Sequence, residues 1–219
     1  MVRIKELLLL VLITNSALLL AKEESAPASI AYQYALYLNS SCIKDPKKEA
    51  LAILNGPLGN RFSLVDDFKT SPTSPVINVG LIEDVQQEYA PPGVESAKRF
   101  GHGLDHEDAV QLQKLNNAIF INVAYPKKYI FSAMLDALKF TEQLAIKCGG
   151  YLWDEETREI FTIDAWRQSR IDTWLDGMPD ASKHITIHAY KNPDYVRAIS
   201  LGMAKFLMPD IVINDFSQS

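Results

Sequence analysis

Ala118-Ile-Phe-Ile-Asn-Val-Ala124 is a near-continuous apolar run closed by Pro126. A strand of that composition is the kind buried on both faces. Directly after it, residues 128–148 carry Ile130, Phe131, Met134, Leu138, Leu144 and Ala145 near helical spacing, and Gly149-Gly150 ends the pattern. Tyr151 to Trp153 and Glu159 to Thr162 then read as two strands around the turn Asp154–Arg158. Strands joined by turns this short must pair antiparallel, because a parallel partner needs a long crossover.

The rest of the chain extends the pattern. Ser29 to Leu38, residues 61–68, Val76 to Glu83, His184 to Tyr190, Tyr195 to Leu201 and Ile211 to Ile213 read as strands. Helices are expected over Pro46 to Asn55, with Asp45 as N-cap, over Asp105 to Asn117, and over Ile163 to Leu175. Lys191-Asn-Pro-Asp194 is a turn signal between two of the strands. Strands and helices are interleaved, yet several strand pairs are hairpins. The expected class is α+β, a mostly antiparallel sheet with helices packed on one face. Lys69-Thr-Ser-Pro-Thr-Ser-Pro75 is loop-like, and marks either a connector between strands or a boundary between two lobes near residues 69–75.

Composition narrows the classes of function. With 219 residues, 47% hydrophobic and 22% charged, the chain is that of an ordinary globular protein, not a disordered tail or a multi-span membrane protein. A net charge of −5 argues against a nucleic-acid partner recruited by bulk charge.

Only the N-terminus departs from the average. Arg3 and Lys5 precede an apolar stretch from Leu7 to Leu20, and a polar, Ala-rich segment follows. This is the three-part layout of a secretory signal, too short to span a bilayer as a helix. Cleavage after Ala21 fits, as does cleavage after Ala28, where Ala26-Pro27-Ala28 has the small-x-small form. The expected location is periplasmic or secreted. An uncleaved signal acting as an anchor would be the one membrane attachment. Removing residues 1–21 takes away Arg3, Lys5 and Glu6, leaving 20 basic against 26 acidic residues. The only cysteines, Cys42 and Cys148, could form one disulfide in an oxidising compartment or stay as two buried thiols. Their wide spacing would make such a bridge worth roughly 4–5 kcal/mol on the chain-entropy model. No paired Cys spacing suggests zinc, and no cofactor is expected.

Chemistry-bearing motifs are sparse. The histidines fall in two pairs, His102/His106 and His184/His188, and each pair would need the other to make a metal site. His184-Ile185-Thr186-Ile187 has the form of half a phosphoesterase unit, in which His and Thr two apart on a strand point into one groove. A matching second unit is missing. If Arg197 on the next strand joined His184, Thr186 and His188, with a carboxylate from Asp154, Glu155 or Asp164, the groove would suit an exported hydrolase. Asp154-Glu155-Glu156 otherwise reads as a solvated hairpin tip, its rival being a carboxylate or divalent-cation site with Asp164. Trp166, Arg170 and Trp174, four residues apart, are either a helix face docked on its sheet or an exposed protein-binding patch. Gly202-Met-Ala-Lys-Phe206 and Pro209-Asp210 suit the turn closing the last hairpin.

Gly149-Gly-Tyr-Leu-Trp-Asp-Glu-Glu-Thr-Arg-Glu159, Asp164-Ala-Trp-Arg167, His184-Ile-Thr-Ile-His-Ala-Tyr190, Val196-Arg-Ala-Ile-Ser-Leu-Gly-Met-Ala-Lys-Phe206 and Pro209-Asp210 together resemble an uncharacterised family of bacterial proteins of unknown function. The likeness covers roughly residues 76–216. It implies a bacterial origin and a self-contained α+β domain, and carries no activity, cofactor or catalytic residue. This chain departs from the pattern at Leu207-Met208, where Gly-Leu is expected before Pro-Asp. Without a complete catalytic set, the leading expectation is a non-enzymatic domain that binds a protein or small molecule in the cell envelope. The exported hydrolase is the alternative.

Overall fold

The structure, a computed structural model, describes residues 28–38, 45–56, 58–59, 61–191 and 195–217. The signal-like segment and Cys42 lie outside the described residues, as do residues 192–194 of the turn that follows Lys191.

The protein is α+β, built on a mostly antiparallel seven-stranded sheet with strand order β2-β3-β5-β1-β6-β7-β4. β1 (Ser29–Leu38) and β5 (Asn117–Pro126) pair along their whole length, from Ser29↔Pro126 to Leu38↔Asn117. β3 (Val76–Ile82) and β6 (Tyr151–Asp154) flank this pair, so the most apolar strand of the sequence is central. β7 (Glu159–Phe161) returns from β6 as a hairpin. Two-residue strands close both edges: β2 (Ser63–Leu64) runs parallel to β3, and β4 (Gly101–His102) runs parallel to β7. Short edges give foreign strands little to pair with. The loop over residues 69–75 therefore joins neighbouring strands of one sheet, and is not a boundary between two lobes.

Strand alternation sends even-numbered side chains of β1 to one face and odd-numbered ones to the other. Tyr32, Tyr34, Leu36 and Leu38 meet the long helix α5 (Ile130–Cys148), through Met134, Leu138 and Phe140, together with α1 (Pro46–Leu54). Ala35 and Tyr37 point the opposite way, onto a second cluster with Trp153, Val85, Ala97, Ala109 and Leu112. These last residues belong to three short helices, α2 (Val85–Glu88), α3 (Val94–Phe100) and α4 (His106–Leu112). The expectation of helices on one face is thus corrected. The large face takes the long helix, and the opposite face is covered by three short helices, of which only α4 falls where the sequence places one, within the expected Asp105 to Asn117. Asp105 caps α4 through a reciprocal pair of bonds with Asp108.

α6 (Ile163–Trp166) continues into a π turn over Arg167–Ile171, ending short of the expected Leu175. The C-terminal part forms a separate antiparallel sheet of β8 (Thr186–Lys191), β9 (Tyr195–Leu201) and β10 (Val212–Ser217), in the order β10-β9-β8. Among the described residues no helix is long and apolar enough to cross a membrane.

Candidate functional site

The C-terminal sheet is joined to the large sheet over the β6–β7 turn, where Asp154, Glu159, Arg170 and Lys205 form a buried charged cluster. Asp154 ends β6. Its Oδ1 accepts from the backbone N–H groups of Glu156 and Thr157 at 3.1 and 3.4 Å, which shapes the turn. Its Oδ2 meets Lys205 Nζ at 2.5 Å and Arg170 Nη2 at 3.0 Å. Arg170 Nη2 also donates to Glu159 Oε2 at 2.7 Å and to Thr157 Oγ1 at 3.0 Å, and the guanidinium lies 4.7 Å from the centre of the Phe161 ring. His102 Nε2 donates to the other oxygen of Glu159 at 2.9 Å while its ring stacks on Phe161. Asp154 and Lys205 are completely buried, and Arg170 and Glu159 nearly so.

Local structure explains how these groups arrive. Arg170 lies in the π turn, and Trp166 and Trp174 on either side donate their indole N–H groups to Leu138 O and Arg170 O. Lys205 is delivered by a one-turn 3-10 helix, Met203–Phe206, between Gly202 at φ 101° and Leu207 at φ 59°. A side chain on Gly202 would stand 2.4 Å from His184 O. Leu207 holds its left-handed conformation at the place where the resemblance expects glycine, so the tight turn forms without one.

Two carboxylates and two cations balance. Burial raises the Asp154 carboxyl, but Lys205 and Arg170 outweigh it and hold the group below its ordinary value. Burial likewise acts upward on Glu159, and His102 and Arg170 turn the result downward. His184, also completely buried, sits edge-on to Trp174 and Phe206. Desolvation, with Arg170 and Lys205 nearby, lowers its pKa to about 3, so the ring is neutral. Closed over and charge-balanced, the cluster acts as a latch between the two sheets.

This placement changes the reading of several sequence candidates. Asp154 is no part of a solvated hairpin tip, because the turn at Lys205 covers it. Glu155 accepts from Tyr89 Oη and Trp153 Nε1, and Asp164 is exposed on α6, lining a separate groove of about 640 Å³ with Gln111, Cys148, Tyr151 and Thr162. The three carboxylates are therefore not gathered around one cation. Trp166 and Arg170 are buried and Trp174 is half-buried, so this stripe is a docked helix face and not an exposed binding patch.

The hydrolase candidates are not assembled either. His184 precedes β8 and ends a 3-10 turn, so it does not share a strand face with Thr186. His188 stacks on Phe100 at 4.1 Å and 8° between planes, and donates through Nε2 to Thr157 O at 3.2 Å. Thr186 pairs with Leu201, whereas the exposed Arg197 pairs with Tyr190 at the other end of the hairpin. At the usual rise those ends lie roughly 13 Å apart. His106 is exposed at the start of α4, away from the Glu159 bond of His102. No group of three or more His, Cys, Asp or Glu side chains among the described residues is arranged to hold a metal.

Sequence reasoning did not single out Lys205 or Glu159. Lys205 has one signal, a lone cation between glycine and proline in an otherwise apolar turn segment, and that pattern is equally at home on a surface.

The other side of the C-terminal sheet is open. Ile187, Ala189, Ala198, Ile211 and Ile213 fall on one face by register, opposite to His188 and Ile199. Ile187 is 69%, Ile211 56% and Ile213 45% exposed, and most of the large exposed apolar side chains among the described residues belong to this sheet and its connections.

No family model, no curated protein and no solved structure matches the chain.

Proposed function

We propose that the chain is an exported, non-enzymatic domain that binds a protein partner through the outer face of β8–β10. The observation that carries this reading is the apolar face itself: three isoleucines turned to solvent on the face opposite His188, whose ring is docked against Phe100 and Thr157. Contiguous exposed apolar surface is uncommon on a soluble monomer unless something covers it. The export part rests on the basic, apolar and small-residue order of residues 1–28. The hydrolase reading loses ground because His184, Thr186, His188 and Arg197 occupy separate surroundings, and the charged groups nearest His184 are enclosed.

The test pairs location with surface. Fractionation of cells making the protein, followed by N-terminal sequencing, is expected to recover it from the envelope beginning at residue 22 or 29. The mature protein should co-purify with a stoichiometric protein partner, and Ile187→Asp with Ile213→Asp should abolish that capture while leaving the melting temperature within a few degrees. Equal capture by the double variant, or a bound metal or small molecule in place of a protein, overturns the proposal.

A further inference from the structure

Three buried nitrogens at the latch reach no partner among the described residues: Nδ1 and Nε2 of His184, and Nε of Arg170. Both side chains are at least nine-tenths buried, and both lie in the field of Asp154 and Lys205. Buried polar groups in native proteins are almost always hydrogen-bonded, to protein or to ordered solvent. Three orphans in one place therefore describe a site.

Charge decides what the site can take. Asp154 and Glu159 already balance Arg170 and Lys205, so an anion would be an unmatched buried charge. A metal ion or ammonium would face two cations. The remaining class is a small neutral molecule that both donates and accepts. Arg170 Nε–H and the protonated nitrogen of His184 each need an acceptor, and the other His184 nitrogen needs a donor. The two ring nitrogens diverge, so one molecule cannot serve both. Trp174 and Phe206 stand edge-on to the imidazole, with ring centres 6.0 and 6.4 Å away, and offer its nitrogens no hydrogen-bond partner.

We infer that the joint between the C-terminal sheet and the large sheet is a solvent-binding site, holding about two ordered water molecules between His184 and Arg170. The waters complete the polar side of the latch, as the ion pairs complete its charged side.

Oxygen-17 relaxation dispersion counts long-lived internal waters in solution. His184→Phe keeps the ring shape and deletes both nitrogens, and should lower that count by about two relative to the unsubstituted protein. An unchanged count overturns the inference. Should the variant not fold, a high-resolution crystal structure of the unsubstituted protein decides. Solvent oxygens at hydrogen-bonding distance from both ring nitrogens support the site, whereas protein atoms or empty space there remove it.

Discussion

Lys205 shows how much one residue can carry when its neighbours deliver it. The amine is fully buried against Asp154, a carboxylate it shares with Arg170. Asp154→Asn leaves two buried cations with one carboxylate and should cost about 3–5 kcal/mol in a urea titration. Lys205→Met should cost less, since Asp154 keeps Arg170 at 3.0 Å. If Lys205→Met proves the worse of the two, the latch is not held by its charge balance. Leu207 allows a cleaner comparison. At φ 59° a residue with a Cβ is strained, whereas glycine is at ease. Leu207→Ala and Leu207→Gly both lose the same packing, so glycine should come out about 1 kcal/mol the more stable. Thermal or chemical melts of the two variants read that difference directly.

Elements were legible where a local signal and a tertiary role agree. β1, β9 and the body of α5 fall where their residues place them, because their apolar patterns face a real core. α2 and α3 passed unnoticed, since each buries a single side chain, Val85 and Ala97, and one anchor has no period. β8 begins two residues later than its alternation suggests. His184 belongs to the preceding 3-10 turn, and that shift separates it from Thr186. The α5–β6 connection is tightly constrained. Gly150 sits at φ 101°, and a Cβ there would fall 2.0 Å from Tyr37 O in the central strand. Gly150→Ala should therefore destabilise by at least ~2 kcal/mol, while Gly149→Ala, with nothing within 4 Å, should cost only its backbone strain. Circular dichroism melts of the pair separate the clash from the conformational effect.

For the molecule as a whole, the buried charges set the response to acid. Asp154 and Glu159 have folded pKa values below their unfolded ones, so their stabilisation is present at neutral pH and is lost as pH falls through the folded values. His184 acts in the same direction. Its folded pKa is about 3, so below pH ~6.5 the unfolded chain takes up a proton that the folded one refuses. Stability should fall by up to about 1.4 kcal/mol per pH unit from this group, or roughly 3 kcal/mol between pH 6.5 and 4. Denaturant titrations across that range should show the slope, and His184→Phe should flatten it by this share. A folded protein equally stable at pH 4 and pH 7 would contradict the enclosed, neutral histidine.

What the residues determine by themselves is local and compositional. A buried-type strand, a long amphipathic helix and turns too short for crossovers already require an α+β protein with antiparallel pairing, because periodicity and turn length act within a few residues. Basic residues ahead of an apolar run, and the absence of a complete catalytic motif, shape the functional expectation in the same local way. The joint was decided by tertiary structure alone. Lys205 reaches Asp154 across 51 positions, and His188 reaches Thr157 across 31. Burial, which turns an acidic tip into a latch and a histidine into a neutral ring, depends on what the distant chain places on top.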